Sequence, residues 1–398
     1  MPNGNTLYYF PNDNLQLVKL DFTVEAGTAY QHKKSLSHAA NQLFAEASVG
    51  HPANELAEFF DFRGIVVERA TDLFTGNVSF YFLRKYAEDL FPLLRELFDE
   101  PDVTPQLFDA YLRQRKQNIL LGFQKTNYLA RLKFFELLYG ESHPMGVYAR
   151  PEDLDTLTKE DVAAFIRQRY QLGNAHIVLA GHVDESLLQL ADQYLAPAAV
   201  PCERGVMPQP APKEGLSAHH WPLQGAVQST IRIGGILPFS WDSMDYARCM
   251  VLNTVLGGYF GSRLMSNLRE DKGYTYGVYS QTQVFRGSVV LFVVADVAGD
   301  ATQDAVKEVF HEVSRLQEEM VSEEELERVR NVMMGDFIRS IDGVFERSER
   351  YRQMVATDVT ELLSDNLMEA IRTTTPAQIQ TLAREALSDL VTVTAGIR

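Results

Sequence analysis

The chain spells the same order of elements twice, at a spacing of about 200 residues, far longer than any solenoid period. In the first half, strands TLYYF and LQLVKLDFTVEAG lead into a helix starting near Ser35. A second helix, NELAEFFDFRG, is closed by Gly64 and followed by strands IVVERAT and GNVSFYFL. Long amphipathic helices over 86–99 and 104–138, a helix with a capping-type start (LTKEDVAAFIRQRY) and a buried strand (AHIVLAGHV) complete the unit. The second half answers in the same order. Strand AVQSTIRIGGIL precedes helix MDYARCMVLNTVLGG, and strands YTYGVYSQTQV and GSVVLFVVADV precede helices over 300–320 and 322–340. TTPAQIQTLAREAL and LVTVTAGI then close it. Strands in adjacent pairs with helices between predict an α+β protein of two homologous domains, each a mainly antiparallel sheet with packed helices.

Between the halves the composition changes. Residues 196–215, APAAVPCERGVMPQPAPKEG, are rich in proline and lack pattern, as a stiff linker would be. The expected division is an N-terminal domain over 1–197, a linker over 198–215 and a C-terminal domain over 216–398. A chain of 398 residues with 45% hydrophobic content suits two such domains. Its net charge of −16 argues against nucleic-acid binding, because the phosphates would be repelled. Two cysteines, Cys202 and Cys249, make neither a disulfide framework nor a zinc cluster. No apolar run reaches membrane length and the first residues lack signal-peptide character, so the expectation is a cytoplasmic protein with no membrane partner.

The stretch Ser262–Ser280 reads as a short helix, a glycine stop and a strand. Ser262 is placed to cap the helix, Leu264, Met265 and Leu268 recur at helical spacing, and Gly273 ends the last turn. Beyond it Tyr274, Tyr276 and Val278 alternate with Thr275, Gly277 and Tyr279. The junction brings Arg269 near the helix end and Tyr276 near the strand start, where a guanidinium and a phenol hydroxyl can address one carbonyl. Taken alone, the pair reads more readily as a solvated helix-end cation and a packed strand aromatic.

An arginine, six residues and a tyrosine after a glycine-rich turn resemble the C-terminal half of the pitrilysin-like inverzincin peptidases. That group includes mitochondrial processing peptidase and insulin-degrading enzyme, and the resemblance runs over essentially the whole chain. It implies two α/β-roll domains facing each other as a clamp, with Arg269 and Tyr276 holding the substrate carbonyl and stabilising its oxyanion. It also implies a His-x-x-Glu-His zinc motif on the first helix of the N-terminal half. Here that helix reads Ser35-Leu36-Ser37-His38-Ala39-Ala40-Asn41-Gln42. Only His38 remains. Asn41 stands at the general-base position and Gln42 at the second-ligand position, and neither amide suits its role. The third ligand falls near Ile119, with no carboxylate between Asp109 and Glu136. His143 reads as loop structure, the adjacent His219 and His220 point apart on a strand, and His311-Glu312 lacks a second histidine. Gly257-Gly258-Tyr259-Phe260-Gly261 reads as a helix stop rather than a phosphate loop.

The resemblance therefore implies a non-zinc subunit of a heterodimeric zinc peptidase. Zinc would be carried by a homologous partner and an extended peptide would be the substrate, added to a sheet edge for which GNVSFYF is one candidate. No metal or other cofactor is expected on this chain, and a homodimer is the alternative assembly when the partner is absent. Two further readings stand beside it: a catalytically inert structural or peptide-binding protein of the same fold, and a metallopeptidase with a rearranged site around His38.

Overall fold

The computed structural model describes residues 6–196, 205, 207–211 and 217–397. Most of the expected linker, Cys202 included, lies outside the described residues.

Among the described residues, ten strands form two five-stranded sheets. The first uses β1 (Leu7–Pro11), β2 (Leu17–Val24), β3 (Val66–Thr71), β4 (Gly76–Leu83) and β5 (His176–Gly181), in the order β1-β5-β2-β4-β3. The second uses β6 (Ala218–Pro222), β7 (Gln228–Ile236), β8 (Thr275–Phe285), β9 (Ser288–Ala298) and β10 (Val391–Gly396), in the order β6-β10-β7-β9-β8. The two orders are the same topology written twice. In each, the outer pair nearest the chain start is parallel and every other pair is antiparallel. The duplication legible in the sequence is thus a duplication of strand order, and the fold is α+β.

Helices of the first half are α1 (Leu36–Leu43), α2 (Ala53–Arg63), α3 (Ala87–Asp99), α4 (Pro105–Gly122), α5 (Thr126–Tyr139), α6 (Lys159–Arg169) and α7 (Glu185–Tyr194). Those of the second are α8 (Met244–Asn253), α9 (Thr302–Glu318), α10 (Glu323–Ile341), α11 (Val344–Thr357), α12 (Leu362–Thr373) and α13 (Pro376–Ala386). Local signals set several ends. Gly64 closes α2 at φ 63°, and Thr158 with Asp161 caps α6 reciprocally. The expected helix over 104–138 is two helices, α4 and α5, broken at Phe123–Lys125.

That break has a reason. Compact packing divides the chain into one unit of residues 1–120, 148–206 and 340–356, and another of 121–147, 207–339 and 357–398. Each unit holds one sheet, so the units follow the contiguous halves except for two exchanged segments, 121–147 and 340–356. Periodicity reports that a segment is helical; it does not report which sheet the helix covers.

In the first unit, Val18, Leu20 and Phe22 of β2 join Leu36, Ala40, Leu94 and Ile166 in one core. The alternate residues Lys19, Asp21 and Thr23 face the other side, where α11 supplies Glu349 and Arg352. Lys19 Nζ lies 3.0 Å from Asp21 and 3.3 Å from Glu349, and a cavity of 660 Å³ opens beside them. In the second unit, Ile231, Val278, Val293 and Ala295 pack with α8, α9 and α13 on one face of the sheet. Phe134 and Leu138 of α5 cover Phe292, Val294 and Val393 on the other.

Candidate functional site

Arg269 sits on a segment wound more loosely than an α-helix. Met265–Asp271 is a π-helix, and Thr254–Gly258 is another. Wide turns of this kind recur where a backbone is re-aimed for function. The segment is tied down on two sides. Asn267 donates to Glu308 at 3.0 Å and to Glu312 at 2.8 Å on α9, and Arg263 grips Glu325 of α10 with two bonds of 2.9 Å. Gly273, at φ 66°, ends it: Tyr274 N–H reaches back to Leu268 O at 2.9 Å. Ser262 does not cap with its side chain; its hydroxyl is buried without a partner while its carbonyl accepts from Ser266 N–H at 3.0 Å. Arg269 is half-buried, its guanidinium 4.7 Å from the centre of the Phe260 ring.

Tyr276 is 91% exposed, and strict alternation would not have put it there. Val278 faces the core opposite Ala295, so in an unbroken ladder Tyr276 would fall opposite Val297 on the same buried face. Instead Thr275 pairs with Val297, and Tyr276 and Gly277 together oppose Asp296 in a β-bulge. The Thr275 hydroxyl holds the bulge. It accepts from Gly277 N–H at 3.1 Å, and its single proton is shared between Asp296 O at 2.6 Å and Gly277 O at 2.8 Å. Val278 N–H donates to the sulfur of Met265 at 3.4 Å, joining bulge to π-helix. Sequence sets Met265 at helical spacing and Thr275 in a strand alternation, without giving either a part in the bulge. The signal was there in Thr-x-Gly at a strand start, since glycine within a strand marks a bulge.

The positions that resemble a zinc motif are engaged otherwise. His38, on α1, is half-buried and shares a 2.9 Å hydrogen bond with the Tyr111 hydroxyl through Nδ1. Burial, aided by Arg115, lowers it to about 4, so its imidazole is neutral at physiological pH. Asn41 has no exposed surface and donates to Asn77 O at 3.1 Å. Gln42 is half-buried, and Ile119, on α4, is buried. One neutral imidazole beside two amides and an isoleucine does not fit zinc chemistry. Among the described residues, no group of three or more His, Cys, Asp or Glu side chains is gathered closely enough to hold a metal ion. Two other histidines are tied into the fold: His143 accepts from Met145 N–H and bonds Pro208 O, both at 3.0 Å, and His220 bonds the Thr394 hydroxyl at 2.8 Å. Cys249 is fully buried, which pushes its thiol up to about 12 and makes it a poor nucleophile.

The fold that carries this geometry is shared with solved structures. Residues 156–333 match the family described as Peptidase M16 inactive domain. The matched stretch, which carries both Arg269 and Tyr276, thus resembles the M16 peptidases. An uncharacterized zinc protease of Rickettsia felis is 22% identical over 411 residues, covering 98% of this chain and 95% of that one. A probable inactive metalloprotease of Bacillus subtilis is 23% identical, covering 71% and 69% respectively. A Pseudomonas fluorescens structure described as a peptidase M16 inactive domain superposes with TM-score 0.87 at 21% identity, covering 100% of this chain and 97% of that one. A protease from Helicobacter pylori superposes with TM-score 0.83 at 16% identity, covering 99% and 97%. The M16 fold is therefore shared across the full length. No described helix is long and apolar enough to cross a membrane.

Proposed function

We propose that this chain is the non-zinc subunit of a two-subunit peptidase. A homologous partner carries the zinc and its hydroxide, and this chain offers Arg269 and Tyr276 to the substrate carbonyl. The observation that carries the reading is the contrast between the two sites. Asn41 and Ile119 are sealed inside the first unit, whereas a bulge delivers Tyr276 almost wholly into solvent. As the carbonyl becomes tetrahedral, the phenol hydroxyl and the guanidinium donate to the developing oxyanion, an interaction stronger in the transition state than in the ground state.

The extended peptide adds to an edge strand. The earlier candidate, β4, is excluded because it is paired on both sides, with β2 and β3. Strand β3 is the edge on that side of the first sheet, and its Val66 is 55% exposed.

The test mixes this chain with zinc-motif homologues from the same genome and follows cleavage of an unstructured peptide. Neither chain alone is expected to match the mixture. Arg269→Ala and Tyr276→Phe should each slow the mixture by about 10²–10³, as expected for loss of one oxyanion donor. Unchanged turnover in both variants would assign the chain a scaffolding or peptide-binding role. One zinc per chain, with chelator-sensitive cleavage by the chain alone, would assign it a rearranged metal site.

A further inference from the structure

The second sheet contains a buried charge with nothing to hold it. Arg232, on β7, is 8% exposed, and its guanidinium makes no hydrogen bond or ion pair among the described residues; Nε in particular is enclosed and unpartnered. Its flat faces are covered, 4.6 Å from the Phe292 ring centre and 5.6 Å from that of Phe134. Rings satisfy the faces of a guanidinium but not the N–H donors that radiate in its plane.

The duplicated fold supplies an internal control. Asp21 pairs with Val178 and Arg232 with Val393, each three residues before the positive-φ glycine that ends its strand, Gly181 or Gly396. The two residues therefore occupy equivalent points of the two sheets. Asp21, wholly buried, has Lys19 at 3.0 Å and accepts from the Ser79 hydroxyl. Arg232 has no such company. Asp296 lies on the same face as Arg232, in register with Thr230, but it accepts from the Thr230 hydroxyl. What surrounds Arg232 is donor-rich. Tyr279 and Arg232 both pair with Val294 and so share this face, and Arg131 of α5 is close enough to oppose the Arg232 charge. Tyr279 is 49% exposed, so the row opens to solvent.

We propose that Arg232, with Arg131 and Tyr279, forms a subsite for a carboxylate of an extended peptide. A planar carboxylate meets a guanidinium fork through two parallel bonds, the pairing that Arg232 lacks. The site shares its sheet face with Asp296, against which the bulge sets Tyr276, so the same peptide reaches both. The chain's net charge of −16 would exclude acidic peptides from most of its surface, which gives a local cationic row its selectivity. That the ligand is a peptide rests on the subunit reading above; the carboxylate preference does not.

Binding of short blocked peptides to the full chain is measured by calorimetry at low ionic strength in phosphate-free buffer. The probes are acetyl-Ala-Ala-Asp-Ala-Ala-amide, its Asn twin, and blocked pentaalanine ending in either a free carboxylate or an amide. Wild type is expected to prefer one carboxylate probe over its neutral twin by about tenfold or more, and Arg232→Met to erase the preference. A preference for Asp identifies an internal acidic residue as the ligand; a preference for the free end identifies a chain terminus. Equal binding of each pair to wild type, or no detectable binding of any probe, overturns the proposal whatever the variant does, and so does a preference that survives in Arg232→Met. A preference that is lost in Arg232→Met, together with unchanged turnover of both the Arg269→Ala and the Tyr276→Phe mixtures, would uphold the subsite and remove the catalytic-subunit reading.

Discussion

Val278 donates its backbone N–H to the sulfur of Met265 at 3.4 Å, both residues being buried. The contact joins two departures from regular structure, the π-helix that carries Arg269 and the bulge that carries Tyr276. The π-helix runs for seven residues and the bulge adds one, so Arg269 and Tyr276 both sit where ordinary helix and strand would not have placed them.

If the Thr275 hydroxyl holds that bulge, Thr275→Val should lose its clamp while keeping its shape. The exposed Gly277 N–H then exchanges its Thr275 acceptor for water, a loss of about 0.5–1.5 kcal/mol in stability. Tyr276 should be modified more slowly by tetranitromethane, read site by site by mass spectrometry. Thr275→Ser should keep both stability and labelling close to wild type. Equal labelling of Tyr276 in the valine variant would show that the bulge stands without the hydroxyl.

His38 gives a pH signature. Its folded-state value of about 4 lies below the ordinary 6.5, with burial as the first cause. The folded state therefore binds fewer protons than the unfolded chain between those values. The stabilisation is complete above about 6.5 and is lost as pH falls toward about 4, up to roughly 3 kcal/mol in all. Urea titrations across that window should show a slope that is absent in His38→Phe. A His38 resonance titrating near 6.5 would rule this out.

The polar seam under α11 should behave as a linked set. Lys19 is 4% exposed and serves both Asp21 and Glu349, so Lys19→Met leaves a buried carboxylate unpaired and should cost about 3–5 kcal/mol in urea unfolding. Arg352 first, then Lys19, hold Glu349 down to about 2 from the usual 4.5. Its contribution is thus present above about 4.5 and disappears as pH falls through about 2. Glu349→Gln should flatten stability over that acid range, and an unchanged acid limb would mean that α11 does not depend on this pair.

The duplicated element order, the turn glycines and the capping box at Thr158 were legible because each rests on a few neighbouring residues. The amphipathic β2 pattern likewise declares which residues face inward. The missing zinc chemistry was equally legible at His38, Asn41 and Gln42, since ligand type is a property of the side chain itself. What sequence could not reveal depends on partners distant in the chain. The run 104–138 reads as one helix, and only packing decides that α4 and α5 separate and serve different sheets. Strand GNVSFYFL advertises an edge no less than IVVERAT does, and only strand order makes β4 internal and β3 the edge. Alternation assigns Tyr276 to the core, until a hydroxyl, a glycine and a thioether brought together by the fold turn it outward. Arg232 is one more strand residue by sequence. Its isolation exists only because two phenylalanines, from α5 and β9, close over it and bring no acceptor. Short-range geometry is written in the order of residues, whereas burial, edge status and the absence of a counter-ion are properties of who else arrives.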